Sequence, residues 1–146
     1  MAIAKPIRIL VVDDHFMVRM GLSSSLSVEP DIEVVSEAGS GEAALEAYRK
    51  HHPSLVIMDL RLPGMSGIDC IAALLCEFPE VRILVLSTHS DEEEIYRAMQ
   101  AGARGYVGKT IVREELLRAV REVHSGGRYL DPIARTHLDD GNRGVP

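Results

Sequence analysis

Six polar residues follow directly on short apolar runs. Asp13 and Asp14 follow residues 7–12, Asp59 follows 55–58, Ser87 and Thr88 follow 83–86, and Lys109 comes just after Tyr106 and Val107. If those runs are neighbouring strands, three carboxylates, two hydroxyls and an ammonium meet at one end of a sheet. Crowded carboxylates push one another's pKa values upward, and when ionised they need a cation close by. A hard divalent ion with oxygen ligands, Mg²⁺ in a cell, answers that need. Lys109 adds a second positive charge, and the Ser87 hydroxyl can donate to an oxygen of an arriving anion. Metal, lysine and hydroxyl around one carboxylate make a receptacle for a phosphoryl group. Transfer of that group needs mainly positioning and charge neutralisation, so a carboxylate held in line can act as nucleophile and become an acyl phosphate. Asp59 ends the stretch LVIMD, where packing has no use for a charge, and is the best placed nucleophile.

The elements that must position these groups are legible as periodicity. Five apolar runs alternate with helical stripes. Val18, Leu22 and Leu26 follow the first run; Ala43, Ala44, Ala47 and Tyr48, after a Ser40 cap, follow a second over 32–37. Ile71, Leu74, Leu75 and Phe78 follow the third and stop at Pro79. A helix from Asp91 to Gly102 follows the fourth, and Val112, Leu116, Val120 and Val123 follow the fifth, ending at Gly126 and Gly127. The acidic run 91–94 reads as first-turn carboxylates complementing a helix dipole. Residues 132–138 could add one short helix, and the tail DDGNRGVP reads as a linker or frayed end. Strand and helix alternation of this length predicts an α/β fold, a doubly wound five-stranded parallel sheet with helices on both faces. The most apolar strands, the first, third and fourth, belong at the centre, and the alternating second and short fifth at the edges. That is the flavodoxin-like order 2-1-3-4-5, whose ligands bind beyond the carboxyl ends of the strands.

Composition narrows the function classes. The chain has 146 residues, enough for one domain with a real core, and no apolar run approaches a membrane span or the longer apolar region of a signal peptide. A cytoplasmic protein is the expectation, with no membrane partner. Net charge is −6 and no cluster of Lys and Arg with interleaved aromatics occurs, so this chain alone is a poor grip for nucleic acid. Cys70 and Cys76 match neither a CxxC motif nor a zinc knuckle and read as helix packing residues.

On VVDDH at 11–15, VIMDLRLPGMSGID at 56–69, VLST at 85–88 and GARGYVGKT at 102–110, the chain resembles the receiver domain of two-component response regulators. SVEPDIEVVSEAGSGEAALE, LSTHSDEEE and HSGGRYLDP resemble the NarL/FixJ (LuxR-type) subfamily. The resemblance implies a CheY-like sheet, with residues 6–128 as receiver and 129–146 as a short helix and linker toward a C-terminal helix-turn-helix DNA-binding domain. It implies Asp59 as phosphoacceptor; Asp14, Asp59 and the Arg61 backbone carbonyl as Mg²⁺ ligands; and Asp13 acting through metal-bound water. Ser87 matches the switch hydroxyl, with Thr88 beside it, Tyr106 the switch aromatic, and Lys109 the family's lysine. The implied function is a phosphorylation-activated switch supplied by a sensor histidine kinase, not an enzyme beyond Mg²⁺-dependent self-phosphorylation and slow self-dephosphorylation. Phosphorylation-dependent homodimerisation and control of transcription are implied with it. The family often has proline after the lysine, with a cis bond; Thr110 stands there, which leaves the geometry of the Lys109–Thr110 bond open. No helix-turn-helix follows Leu138, so the expectation is either an excised receiver or a stand-alone one acting by protein interaction or as a phosphorelay intermediate.

Other classes fit less well. A phosphatase resembling the haloacid dehalogenase family wants an acid two residues past the nucleophile, where Arg61 stands, and GMSG is one residue short of the hydrolase G-x-S-x-G. An interaction module indifferent to phosphate would be expected to have lost an acid or the lysine. His15 and His89 flank the expected mouth, as metal ligands or as exposed loop residues. Arg61 and His89 also lie two residues beyond a site residue, where their side chains could shield an acyl phosphate and set its lifetime.

Overall fold

The computed structural model describes residues 5–88, 91–132 and 134–136. Strands β1 (Ile7–Val12), β2 (Ile32–Ala38), β3 (Leu55–Met58), β4 (Ile83–Ser87), β5 (Gly105–Gly108) and β6 (Tyr129–Leu130) alternate with helices α1 (Phe16–Ser27), α2 (Gly41–His51), α3 (Gly67–Glu77), α4 (Glu92–Ala101) and α5 (Arg113–His124). The sheet is parallel throughout, in the order β2-β1-β3-β4-β5-β6.

Period-two alternation with both sets apolar is what a sheet covered on both faces requires. Leu55 and Ile57 pack with Ile9, Val11, Leu84 and Leu86 against Leu26 of α1 and Leu116, Val120 and Val123 of α5. Val56 and Met58 point the other way, with Leu10, Val12, Ile83 and Val85, against Tyr48 of α2, Ile71 and Leu74 of α3 and Ile95 of α4. The helices therefore divide two and three across the faces. β2 is an edge, as its alternation indicated.

The expectation of five strands is corrected to six. After α5, Ser125–Gly126 turns the chain, with Gly126 at φ 97°, and Tyr129 and Leu130 pair beside Gly105 and Tyr106. Tyr129 N–H donates to the Arg104 carbonyl and Asp131 N–H to the Tyr106 carbonyl, both at 3.1 Å. Two residues are too short a run to show a period, so β6 left no pattern, and β5 is an inner strand. Val112 is also corrected. It precedes α5 as its N-cap residue and is 59% exposed, while Leu116, Leu117, Ala119, Val120 and Val123 form the buried stripe.

Residues 132 and 134–136 are helical, begun by Asp131, whose Oδ1 accepts from Ala134 N–H at 2.8 Å. The remainder of the helix expected over 132–138, and the tail, lie outside the described residues. Ser40, Ser66 and Asp91 cap α2, α3 and α4 by accepting from the backbone N–H three residues on. Gly67 has a particular task at the start of α3. A Cβ there would overlap the Asp59 carbonyl and the Leu60 Cα, so only glycine lets this helix seat beneath the end of β3. All peptide bonds among the described residues are trans, Lys109–Thr110 included.

Candidate functional site

The ends of β1, β3, β4 and β5 lie side by side, and the polar residues just past them converge. Asp13 N–H donates to the Ala38 carbonyl, Asp59 N–H to Val12 at 2.9 Å, and Lys109 N–H to Ser87 at 2.9 Å, so each is anchored by the neighbouring strand. Lys109 Nζ lies 2.6 Å from Asp13 Oδ2 and 3.2 Å from Asp59 Oδ2. Both carboxylates are buried, at 2% and 3% exposure, and Asp14 is exposed at the rim. Ligand atoms of Asp13, Asp14, His15 and Asp59 all fall within 4.8 Å of one another, a group that could hold a metal ion. Three of the four donors are carboxylate oxygens, a hard set suited to Mg²⁺ rather than to a soft metal.

Burial pushes the Asp59 carboxyl's pKa above its ordinary value, and the Asp13 charge adds to this. The Arg61 N–H, donating to Oδ1 at 3.2 Å, and Lys109 work against it. For Lys109, burial acts to lower the ammonium's pKa, but the hydrogen bonds and charges of Asp13 and Asp59 outweigh it and hold it above the usual value. The site thus holds more negative charge than its lysine neutralises, and that excess is what a cation would relieve.

Ser87 is buried at the end of β4, and Thr88 next to it is exposed. Tyr106 is wholly buried; burial drives its phenol's pKa far up, opposed by a hydrogen bond with Ser87. The aromatic is therefore already turned inward and joined to the hydroxyl in this structure. Arg61 divides its contacts. Its N–H points at Asp59, and its guanidinium reaches to Glu94 of α4, with Nη2 3.7 Å from Oε2. His89, and with it the expected pairing with His15 and the shielding role, lies outside the described residues.

Residues 9–121 match the family model described as the response regulator receiver domain. The chain belongs to the response regulator receiver family. It is similar to the oxygen regulatory protein NreC of Staphylococcus carnosus, at 39% identity over 90% of this chain and 61% of that protein. It is also similar to the transcriptional regulatory protein DegU of Brevibacillus brevis, at 36% over 90% of this chain and 56% of that one. The receiver thus spans about three-fifths of the length of these relatives. Among solved structures, a LuxR-family response regulator from Aurantimonas sp. SI85-9A1 superposes with a TM-score of 0.90 at 32% identity, covering 95% of this chain and 99% of that one. The signal receiver domain of NarL from Mycobacterium tuberculosis gives 0.81 at 36%, covering 84% and 99%.

Three contacts of this receiver had little or no signal in its sequence. His15 bridges the acids, with Nδ1 3.2 Å from Asp13 Oδ1 and 3.0 Å from Asp14 Oδ1, where its sequence reads more readily as an exposed loop residue. Arg19, on α1, donates from Nη1 to the Asp13 carbonyl at 2.7 Å and so ties that helix to the site backbone. Asp131 accepts from Gly108 N–H, next to Lys109, at 2.7 Å. None of these belongs to an apolar period; the cues were the place of His15 beside the expected mouth and that of Asp131 before a proline that starts a helix.

Proposed function

We propose that this receiver is a phosphorylation switch in which Asp59 accepts a phosphoryl group from a sensor histidine kinase. The observation that carries the reading is the Asp59 carboxylate itself. It is buried, its Oδ2 meets Lys109, its Oδ1 is held by the Arg61 N–H, and two more acids stand beside it. Asp14, Asp59 and the Arg61 carbonyl are the candidate ligands of Mg²⁺, with Asp13 acting through a bound water. When bound, Mg²⁺ would neutralise the excess carboxylate charge and the charge of the arriving phosphoryl oxygens. Asp59 supplies the attacking oxygen, and the phosphoryl group leaves the donor phosphohistidine nitrogen. Lys109 is free to move from the Asp59 carboxylate to a phosphoryl oxygen, and Ser87 donates its hydroxyl proton to another. Thr88, exposed at the rim, is the candidate for a further contact to that group.

The output follows as a population shift, because a phosphoryl group that needs the Ser87 hydroxyl favours whichever arrangement of Ser87, Tyr106 and α4 presents it. We assign residues 6–128 to the receiver and 129–146 to a short helix and linker leading to a helix-turn-helix domain. The names of the relatives as transcriptional regulators support transcription as the output. A phosphorylation-dependent homodimer in the cytoplasm completes the reading. Among the described residues no helix is long and apolar enough to cross a membrane.

The test is incubation with a small phosphodonor and Mg²⁺, read by intact mass. The wild type is expected to gain one phosphoryl group and Asp59→Asn none. A wild type whose mass stays unchanged under native conditions would overturn the reading.

A further inference from the structure

Glu94 stands in the first turn of α4, where a carboxylate suits the helix dipole, yet it does not point freely into water. Its Oε2 is buried with no hydrogen-bond donor in reach among the described residues, and its side chain is 17% exposed. A carboxylate oxygen withdrawn from water needs compensation, and the charge opposite it is Arg61 Nη2 at 3.7 Å. Arg61 is 56% exposed, so it has other places to go, and among the described residues Glu94 is the acid within ion-pair distance of its guanidinium. The main chain of the same residue is at the nucleophile, with its N–H on Asp59 Oδ1. Beside the pair is a cavity of about 360 Å³ whose lining includes Leu60, Ile68, Arg97 and two further acids from the start of α4, Asp91 and Glu93. The guanidinium therefore has space to swing about its own backbone.

We propose that Glu94 is a positioning residue that holds the Arg61 guanidinium toward α4 and off the Asp59 carboxylate, leaving open the line along which water reaches an acyl phosphate there. This rests on Asp59 being the phosphoacceptor. In hydrolysis, a water oxygen bonds to phosphorus opposite Asp59, and the bond from phosphorus to the Asp59 oxygen breaks with its electron pair returning to the carboxylate. Both water protons leave with inorganic phosphate. A guanidinium released from Glu94 is attracted to the phosphoryl oxygens and lies across that line, so the acyl phosphate lives longer.

The experiment labels the receiver with a small phosphodonor and Mg²⁺, removes the donor, and follows loss of the phosphoryl group by intact mass. Wild type, Glu94→Gln, Arg61→Ala and the double variant are compared, with thermal melts to check folding. Glu94→Gln is expected to slow the loss by about threefold, the scale of one partly exposed ion pair. In the Arg61→Ala background the same change is expected to do nothing. An unaltered lifetime in Glu94→Gln overturns the proposal. So does an effect of equal size with and without Arg61, which would make Glu94 a structural residue. A wild type that takes no label fails earlier, at Asp59 itself, and takes this proposal with it.

Discussion

Lys109→Met separates the charge of the lysine from the packing of its stem. Among the described residues Lys109 Nζ is the ammonium or guanidinium group within ion-pair distance of the Asp13 and Asp59 carboxylates, and its side chain is 13% exposed against 2% and 4% for the acids. Methionine keeps most of the aliphatic volume, so the change leaves two buried carboxylates facing each other without the ammonium. Removing one partner of a buried pair costs about 3–5 kcal/mol. The exposed Asp14 rim lets water approach, so the lower end, about 3 kcal/mol, is the expected loss near neutral pH. For a chain of this length that is a fall in melting midpoint of roughly 10 °C. The pH dependence has a definite sign. Asp59 already has a folded-state pKa above its ordinary value, and losing Lys109 removes two of the influences that lower it. A carboxylate with a raised folded pKa costs stability in full above that pKa and nothing below its unfolded value. The deficit of Lys109→Met should therefore shrink as pH falls through the acidic range. Magnesium should also repair it, adding about 2.7 kcal/mol at one hundred times its dissociation constant. Urea or thermal melts at neutral and mildly acidic pH, with and without Mg²⁺, measure all of this. A loss of the same size at both pH values and insensitive to Mg²⁺ would refute the electrostatic account.

Asp59→Asn removes a carboxylate that burial disfavours, so without Mg²⁺ it should raise the neutral-pH stability by about 1 kcal/mol and weaken the stabilisation that Mg²⁺ confers, both readable by melts. Gly67→Ala drives a methyl group into the Asp59 carbonyl and Leu60 Cα. A loss of about 1–3 kcal/mol is expected, with weaker Mg²⁺ binding by titration because the end of β3 must shift. Asp131→Ala strips the acceptor from two backbone N–H groups, Gly108 and Ala134. It should cost about 1–2 kcal/mol and speed hydrogen exchange at those two amides above the rest of β5.

By itself the sequence determined the alternation of five strands and five helices, the central place of the three most apolar strands, and the residues at their ends. These are local properties. A strand buried on both faces must read as an unbroken apolar run, a helix with one buried face must repeat near 3.6, and a carboxylate at the end of such a run has no packing reason to be there. The tertiary structure alone decided which charges meet. Lys109 lies closer to Asp13 than to Asp59, Arg61 points its guanidinium at Glu94, Tyr106 is buried against Ser87, and Asp131 returns from past α5 to hold Gly108. Each of these joins residues on different elements, so it depends on register and helix seating that no single stretch encodes. β6 belongs with them. Two residues carry no period, and they are a strand only because the turn at Gly126 lays them against β5.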